Sequence, residues 1–99
     1  MRDPQIMRQV KEILAQISEI APGHAVELRI PPYSAIQCVE GPKHTRGTPP
    51  NVVEMNAESL IALSNGEIDW SVAVSDGRIH ASGERSDLSN LFSQLTSRN

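Results

Sequence analysis

The amino-acid sequence predicts an α+β domain on three observations. A long amphipathic stretch runs from about Pro4 to Ile20. Short runs with a two-residue alternation follow between His24 and Met55, and Asn51 to Leu95 then reads as strand, capped helix, short helical turn, strand and closing amphipathic helix.

The totals narrow the class. With 99 residues the chain is expected to form a single domain over residues 1–99. At that size stability is on the order of 5–10 kcal/mol. A net charge of −3 leaves no general field for nucleic acid. One cysteine, Cys38, excludes an internal disulfide framework and a cysteine-rich zinc site, and fits a reducing compartment. No apolar run approaches the roughly 20 residues that span a bilayer, and the N-terminal stretch lacks a signal-peptide core. The expectation is a soluble, cytoplasmic protein with no integral membrane segment.

Asp3-Pro4 supplies an N-cap and a proline at the first helical position, where a missing N–H costs nothing. Ile6, Val10, Ile13, Ile17 and Ile20 recur every three or four residues with Leu14 beside them, which predicts a helix from about 4 to 20, ended by Pro22-Gly23. Its apolar stripe is expected to cover the chain's own sheet. A coiled-coil seam with a partner is the alternative, though the run spans little more than two heptads.

Val26, Leu28 and Ile30 alternate with Glu27 and Arg29, predicting a strand with one buried and one wet face. Pro31-Pro32 interrupts it, since neither residue donates a ladder hydrogen bond. Ser34 to Val39 places Ile36 and Cys38 on one side and Ala35 and Val39 on the other, the pattern of an interior strand in a kinked hairpin. Gly41 to Pro50 holds two glycines and three prolines, a shaped loop with room for a short strand around His44 to Gly47. Lys43, His44 and Arg46 concentrate positive charge there, and such a cluster holds carboxylate or phosphate when it is not simply solvated.

Asn51 to Met55 re-enters the sheet. Asn56 caps a helix with Glu58 in its first turn and Asn65-Gly66 at its end. Asp69 caps a further turn carrying Trp70, Ala73 and Val74, and Asp76-Gly77 reverses the chain into a strand, Arg78 to Gly83. Ser86 is the expected cap of the last helix, where Leu88, Leu91, Phe92 and Leu95 fall at i, i+3, i+4 and i+7.

Catalytic and metal motifs do not stand out. His24, His44, His80, Cys38 and the acids form no HExxH, CxxC or helical histidine pair, and no GxSxG elbow or phosphate-binding glycine loop occurs. No metal, cofactor or catalytic residue is expected. A Cys38–His44 pair is the one arrangement an enzyme reading could use, but Cys38 sits in an apolar strand pattern, where a thiol behaves as a small hydrophobe. Trp70, the single tryptophan, either packs in the core or lines an apolar cavity.

The segments Glu54 to Gly66, Trp70 to Ala73, Asp76 to Gly83 and Leu88 to Leu95 resemble, in that order, the sterol carrier protein 2 family. The run Pro31 to Glu54, with its Arg46-Gly47-Thr48-Pro49-Pro50-Asn51 loop, is similar to the bacterial, chiefly actinobacterial, branch of stand-alone sterol-carrier-like proteins. The resemblance implies a mainly antiparallel sheet of four to five strands covered by helices, with a family-like core over about 24–95. It also implies a non-enzymatic domain that binds or carries an acyl chain, acyl-CoA or a sterol-like apolar ligand in a tunnel between sheet and helices. The tunnel candidates are Met55, Leu60, Leu63, Trp70, Ile79, Leu91, Phe92 and Leu95, with Lys43, His44 and Arg46 meeting an anionic end. The chain is shorter than the wider family and poor in aromatics, and an empty cavity costs about 24 cal/mol per Å³. The alternative is therefore a structural or interaction module with a closed tunnel and no ligand, monomeric or homodimeric.

Overall fold

The computed structural model describes residues 3–41 and 51–98. Its elements run α1 (Pro4–Ile20), β1 (Val26–Ile30), β2 (Ser34–Cys38), β3 (Val52–Met55), α2 (Ala57–Ser64), α3 (Trp70–Ser75), β4 (Ile79–Ser82) and α4 (Ser89–Arg98). Lys43, His44, Arg46 and the strand expected around 44–47 lie outside the described residues.

Helix α1 starts as its sequence dictates. The Asp3 carboxylate accepts from the backbone N–H groups of Gln5 and Ile6, at 2.8 and 3.3 Å, and Pro4 opens the first turn. Val10, Leu14 and Ile17 form its buried line, while Ile6, Ile13 and Ile20 flank them half-buried. The stripe packs on β2, α2 and α4, so it covers the chain's own sheet. The Tyr33 hydroxyl accepts from the Asp3 N–H at 3.2 Å, fastening the start of α1 to the turn between β1 and β2.

The sheet has the order β2-β1-β3-β4 and is mixed. β1 pairs antiparallel with β2, with Leu28 opposite Ile36, and β3 pairs antiparallel with β4, with Met55 opposite Ile79. The central pair, β1 with β3, is parallel, with Leu28 opposite Val53. The reason is topological. A hairpin returns the chain to the end where β1 began, and a third strand laid on the far side of β1 must then run parallel to it. Among the described residues β2 therefore stands at one end of the sheet rather than in its interior. Its Ile36 is half-buried and only Cys38 is fully covered.

Beyond β2 the backbone leaves regular geometry. Val39 has φ +69°, a left-handed conformation that a β-branched side chain adopts at a cost of about 1–3 kcal/mol. Two backbone hydrogen bonds hold it there, from the Val39 N–H to the Ala21 carbonyl at 2.8 Å and from the Ala25 N–H to the Val39 carbonyl at 3.0 Å. The segment that ends α1 and the segment that ends β2 are thereby locked together.

The core lies between sheet and helices. Val26, Leu28, Ile30, Val53 and Met55 face Val10, Ile17, Leu60 and Leu95, all of them buried. The opposite sheet face carries Glu27, Arg29 and Glu54, with Arg29 paired to Glu27 at 3.1 Å. β4 departs from its expected alternation. Ile79 is buried but Ala81, on the same side of the strand, is exposed. No helix among the described residues is long and apolar enough to cross a membrane.

Candidate functional site

The site is built by two helix ends and one helix flank. Helix α2 closes with paired 6→1 and 5→2 hydrogen bonds: the Glu67 N–H donates to the Ala62 carbonyl at 2.9 Å and the Gly66 N–H to the Leu63 carbonyl at 3.2 Å. Gly66 takes φ +75°, the left-handed value this closure requires. Helix α3 ends the same way, the Arg78 N–H donating to Ala73 and the Gly77 N–H to Val74. The short connection between α2 and α3 sets Trp70 beside α4.

There Trp70 stacks on Phe92, ring centroids 5.8 Å apart and planes 25° from parallel. Such offset pairs contribute about 0.5–1.5 kcal/mol beyond area burial. Around the pair opens a solvent-accessible cleft of about 540 Å³, whose apolar lining is Leu63, Ile68, Trp70 and Phe92. That volume lies within the range of small-molecule sites.

The polar lining has a definite character. Ser89, Ser93 and Thr96, each three or four residues from the next, lie with Ser97 along one flank of α4, so a helix that buries Leu91 and Leu95 presents hydroxyls to the cleft. Thr96 Oγ1 sits 3.1 Å from the Leu63 carbonyl and 2.9 Å from that of Phe92, and ties α4 to the end of α2. Asp69 and Asp87 supply two carboxylates. Asp87 accepts from the Ser89 N–H at 2.9 Å, and the hydroxyl and N–H of Ser89 hold its carboxyl below the usual carboxylate range. The Asp69 side chain precedes α3 but makes no capping hydrogen bond.

Of the eight expected lining residues, the structure brings Leu63, Trp70 and Phe92 to this cleft. Leu60, Leu91 and Leu95 are buried in the core cluster. Met55 and Ile79 are also buried, and each reaches the margin of a separate, shallower depression near β4. The expected anion contacts Lys43, His44 and Arg46 lie outside the described residues. Ile68, Asp87 and Thr96 carried no signal of their own in the sequence, and Asp69 was marked there only as a helix cap. The hydroxyl flank of α4 is nevertheless written there, as four Ser and Thr residues at helical spacing.

One local expectation changes, at the start of α4. Ser86 does not cap α4: its hydroxyl donates to the Gly83 carbonyl at 2.8 Å, and Asp87 takes the first-turn N–H instead. Cys38 has no exposed surface, and burial pushes its thiol up to about 11, so it is covered and protonated at neutral pH. Among the described residues no group of three His, Cys, Asp or Glu side chains is placed to hold a metal ion.

A family model described as bacterial SCP ortholog matches residues 2–93. The chain belongs to this bacterial SCP family. The fold of this SCP family member is similar to that of sterol carrier protein 2 like 2 from Aedes aegypti. The two share a TM-score of 0.54 and 15% identity, over 89% of this chain and 97% of that one. It is also similar to the structure titled UbiJ-SCP2 ubiquinone synthesis protein, with a TM-score of 0.55 and 11% identity over 98% of this chain and 94% of that one. At these identities the likeness is one of fold. No curated protein sequence matches the chain.

Proposed function

We propose that this SCP family domain is a non-catalytic lipid-binding domain that seats the apolar part of an amphiphile in the Trp70–Phe92 cleft. The observation that carries the reading is the cleft itself, about 540 Å³ with a stacked aromatic pair on its wall. Family membership and the likeness of fold to sterol carrier protein 2 like 2 support it. Aromatic and aliphatic side chains here offer area to an alkyl chain, at about 0.8 kcal/mol per methylene removed from water. Because the cleft is open, part of a chain stays wet, and affinities on the order of 10 µM are expected rather than nanomolar ones.

Trp70 is the single tryptophan and reports directly on the cleft. Titration with the uncharged monoacylglycerol 1-monolaurin, below its critical micelle concentration, should shift Trp70 emission saturably with one molecule bound. Ser93→Phe, on the exposed flank of α4, fills the cleft without touching the core and should weaken binding at least tenfold. A flat titration in the unaltered protein would exclude the reading.

One observation favours an interaction module instead. Val72 and Val74 on α3 are 51% and 40% exposed, apolar surface that a partner would cover. Light scattering at high concentration separates the two: self-association abolished by Val72→Ser with Val74→Ser would support the module.

A further inference from the structure

The polar half of the cleft has a sign. Its described lining contains two carboxylates, Asp69 and Asp87, and a row of hydroxyls, but no lysine, arginine or histidine. The carboxylate of Asp69 makes no hydrogen bond or ion pair with any described residue. The opposing influences are the N-terminal ends of α3 and α4, both at the cleft, which on their own favour an anion. Each is worth at most roughly half an elementary charge, against two full negative charges. Asp87 also already occupies the Ser89 N–H that an anion would use. The exposed part of Trp70 adds an aromatic face, and the face of an indole attracts cations within about 6 Å.

We infer that the cleft is selective for amphiphiles whose polar end is an ammonium group, with the alkyl chain against Trp70 and Phe92 and the ammonium between Asp69 and Asp87. The inference rests on the proposed lipid-binding reading and specifies its ligand class. It runs against the expectation that the basic residues Lys43, His44 and Arg46 would draw an anionic end to the protein. An ammonium donates to carboxylate and hydroxyl oxygens alike, whereas a carboxylate or phosphate in the same position would face two like charges. The same complementarity covers long-chain amines and lipids whose headgroup ends in an ammonium.

The test compares three probes of one chain length, dodecylammonium, laurate and 1-dodecanol, below their micellar limits at pH 7.5, read by Trp70 emission. Dodecylammonium should bind at least tenfold more tightly than laurate, with 1-dodecanol between them. Asp69→Asn with Asp87→Asn removes both charges yet leaves side chains that still cap helices well, and it should bring the three affinities to within about threefold. Glu40→Gln with Glu84→Gln changes the net charge equally at exposed residues outside the cleft lining and should preserve the preference. Binding of 1-dodecanol with laurate equal to or tighter than dodecylammonium overturns the inference and leaves the lipid-binding reading standing. A preference lost equally in the Glu40/Glu84 variant also overturns it, as a general charge effect. If none of the three binds, both fall together.

Discussion

Trp70 and Phe92 lie with ring centroids 5.8 Å apart although 22 positions separate them in the chain, and this pair joins the short helix α3 to the closing helix α4. Phe92 is buried beneath it while Trp70 is half-exposed, so one ring belongs to the core and the other to the surface. The stack is therefore both a wall of the cleft and a strut between two helices.

Phe92→Leu keeps an apolar residue at the buried position and removes the stack. We expect a loss of about 1–2 kcal/mol in urea unfolding, together with a red shift of Trp70 emission. Unchanged emission would mean that Trp70 does not rest on Phe92 in solution.

Gly66 and Gly77 end their helices in the same way, at φ +75° and +84°, but their surroundings differ. A Cβ at Gly66 would lie 2.9 Å from Thr96 Cγ2, whereas at Gly77 nothing lies within 4 Å. Gly77→Ala should cost only the backbone term, about 1 kcal/mol, and Gly66→Ala measurably more. Thr96→Ser removes the clashing methyl and keeps the hydroxyl, so in a double-mutant cycle it should recover the excess at Gly66. Equal costs at the two glycines would show that α4 does not press on the α2 terminus.

Asn51 is buried and works in two directions. Its Nδ2 donates to the Ala25 carbonyl at 2.8 Å and its Oδ1 accepts from the Arg85 N–H at 2.9 Å, so one amide joins the approach to β1 with the turn after β4. Asn51→Ala leaves both groups without this partner and should cost about 1–3 kcal/mol by denaturant midpoint. A cost near zero would mean that water replaces both bonds.

Burial raises the Cys38 thiol from 9.0 in its ordinary state to about 11. A group raised on folding contributes stability that is complete below its unfolded value and is lost as pH climbs through the folded one. Unfolding free energy should thus fall between about pH 9 and 11, with a slope approaching 1.4 kcal/mol per pH unit from this residue. Cys38→Ala should remove that portion of the slope, and iodoacetamide should label Cys38 only after denaturation. Rapid labelling of the native protein at neutral pH would contradict the burial.

The helix boundaries were legible because short-range chemistry sets them. Asp3-Pro4, Asn56, Asn65-Gly66 and Asp76-Gly77 each satisfy or end a local hydrogen-bond pattern, and the structure places helix ends at all four. The start of α4 was misplaced because Ser86 and Asp87 are both good caps, and Ser86 is drawn off by the Gly83 carbonyl. The cleft was only partly legible. Periodicity marks which face of α4 is apolar, yet it does not say that Leu91 and Leu95 will be buried in the core while Phe92 meets Trp70.

By itself the sequence determined the α+β class, the family resemblance, the capped helices and the alternation of β1, because each depends on neighbours within about one turn or on a two-residue period. Only the tertiary structure decided that β1 and β3 run parallel, that β2 and β4 stand at the ends of the described sheet, and that Asp69, Asp87 and the α4 hydroxyls share a cleft with Trp70. Those relations depend on which apolar faces meet. Burial is non-directional, so a pattern of apolar residues states that a face must be covered without naming what covers it.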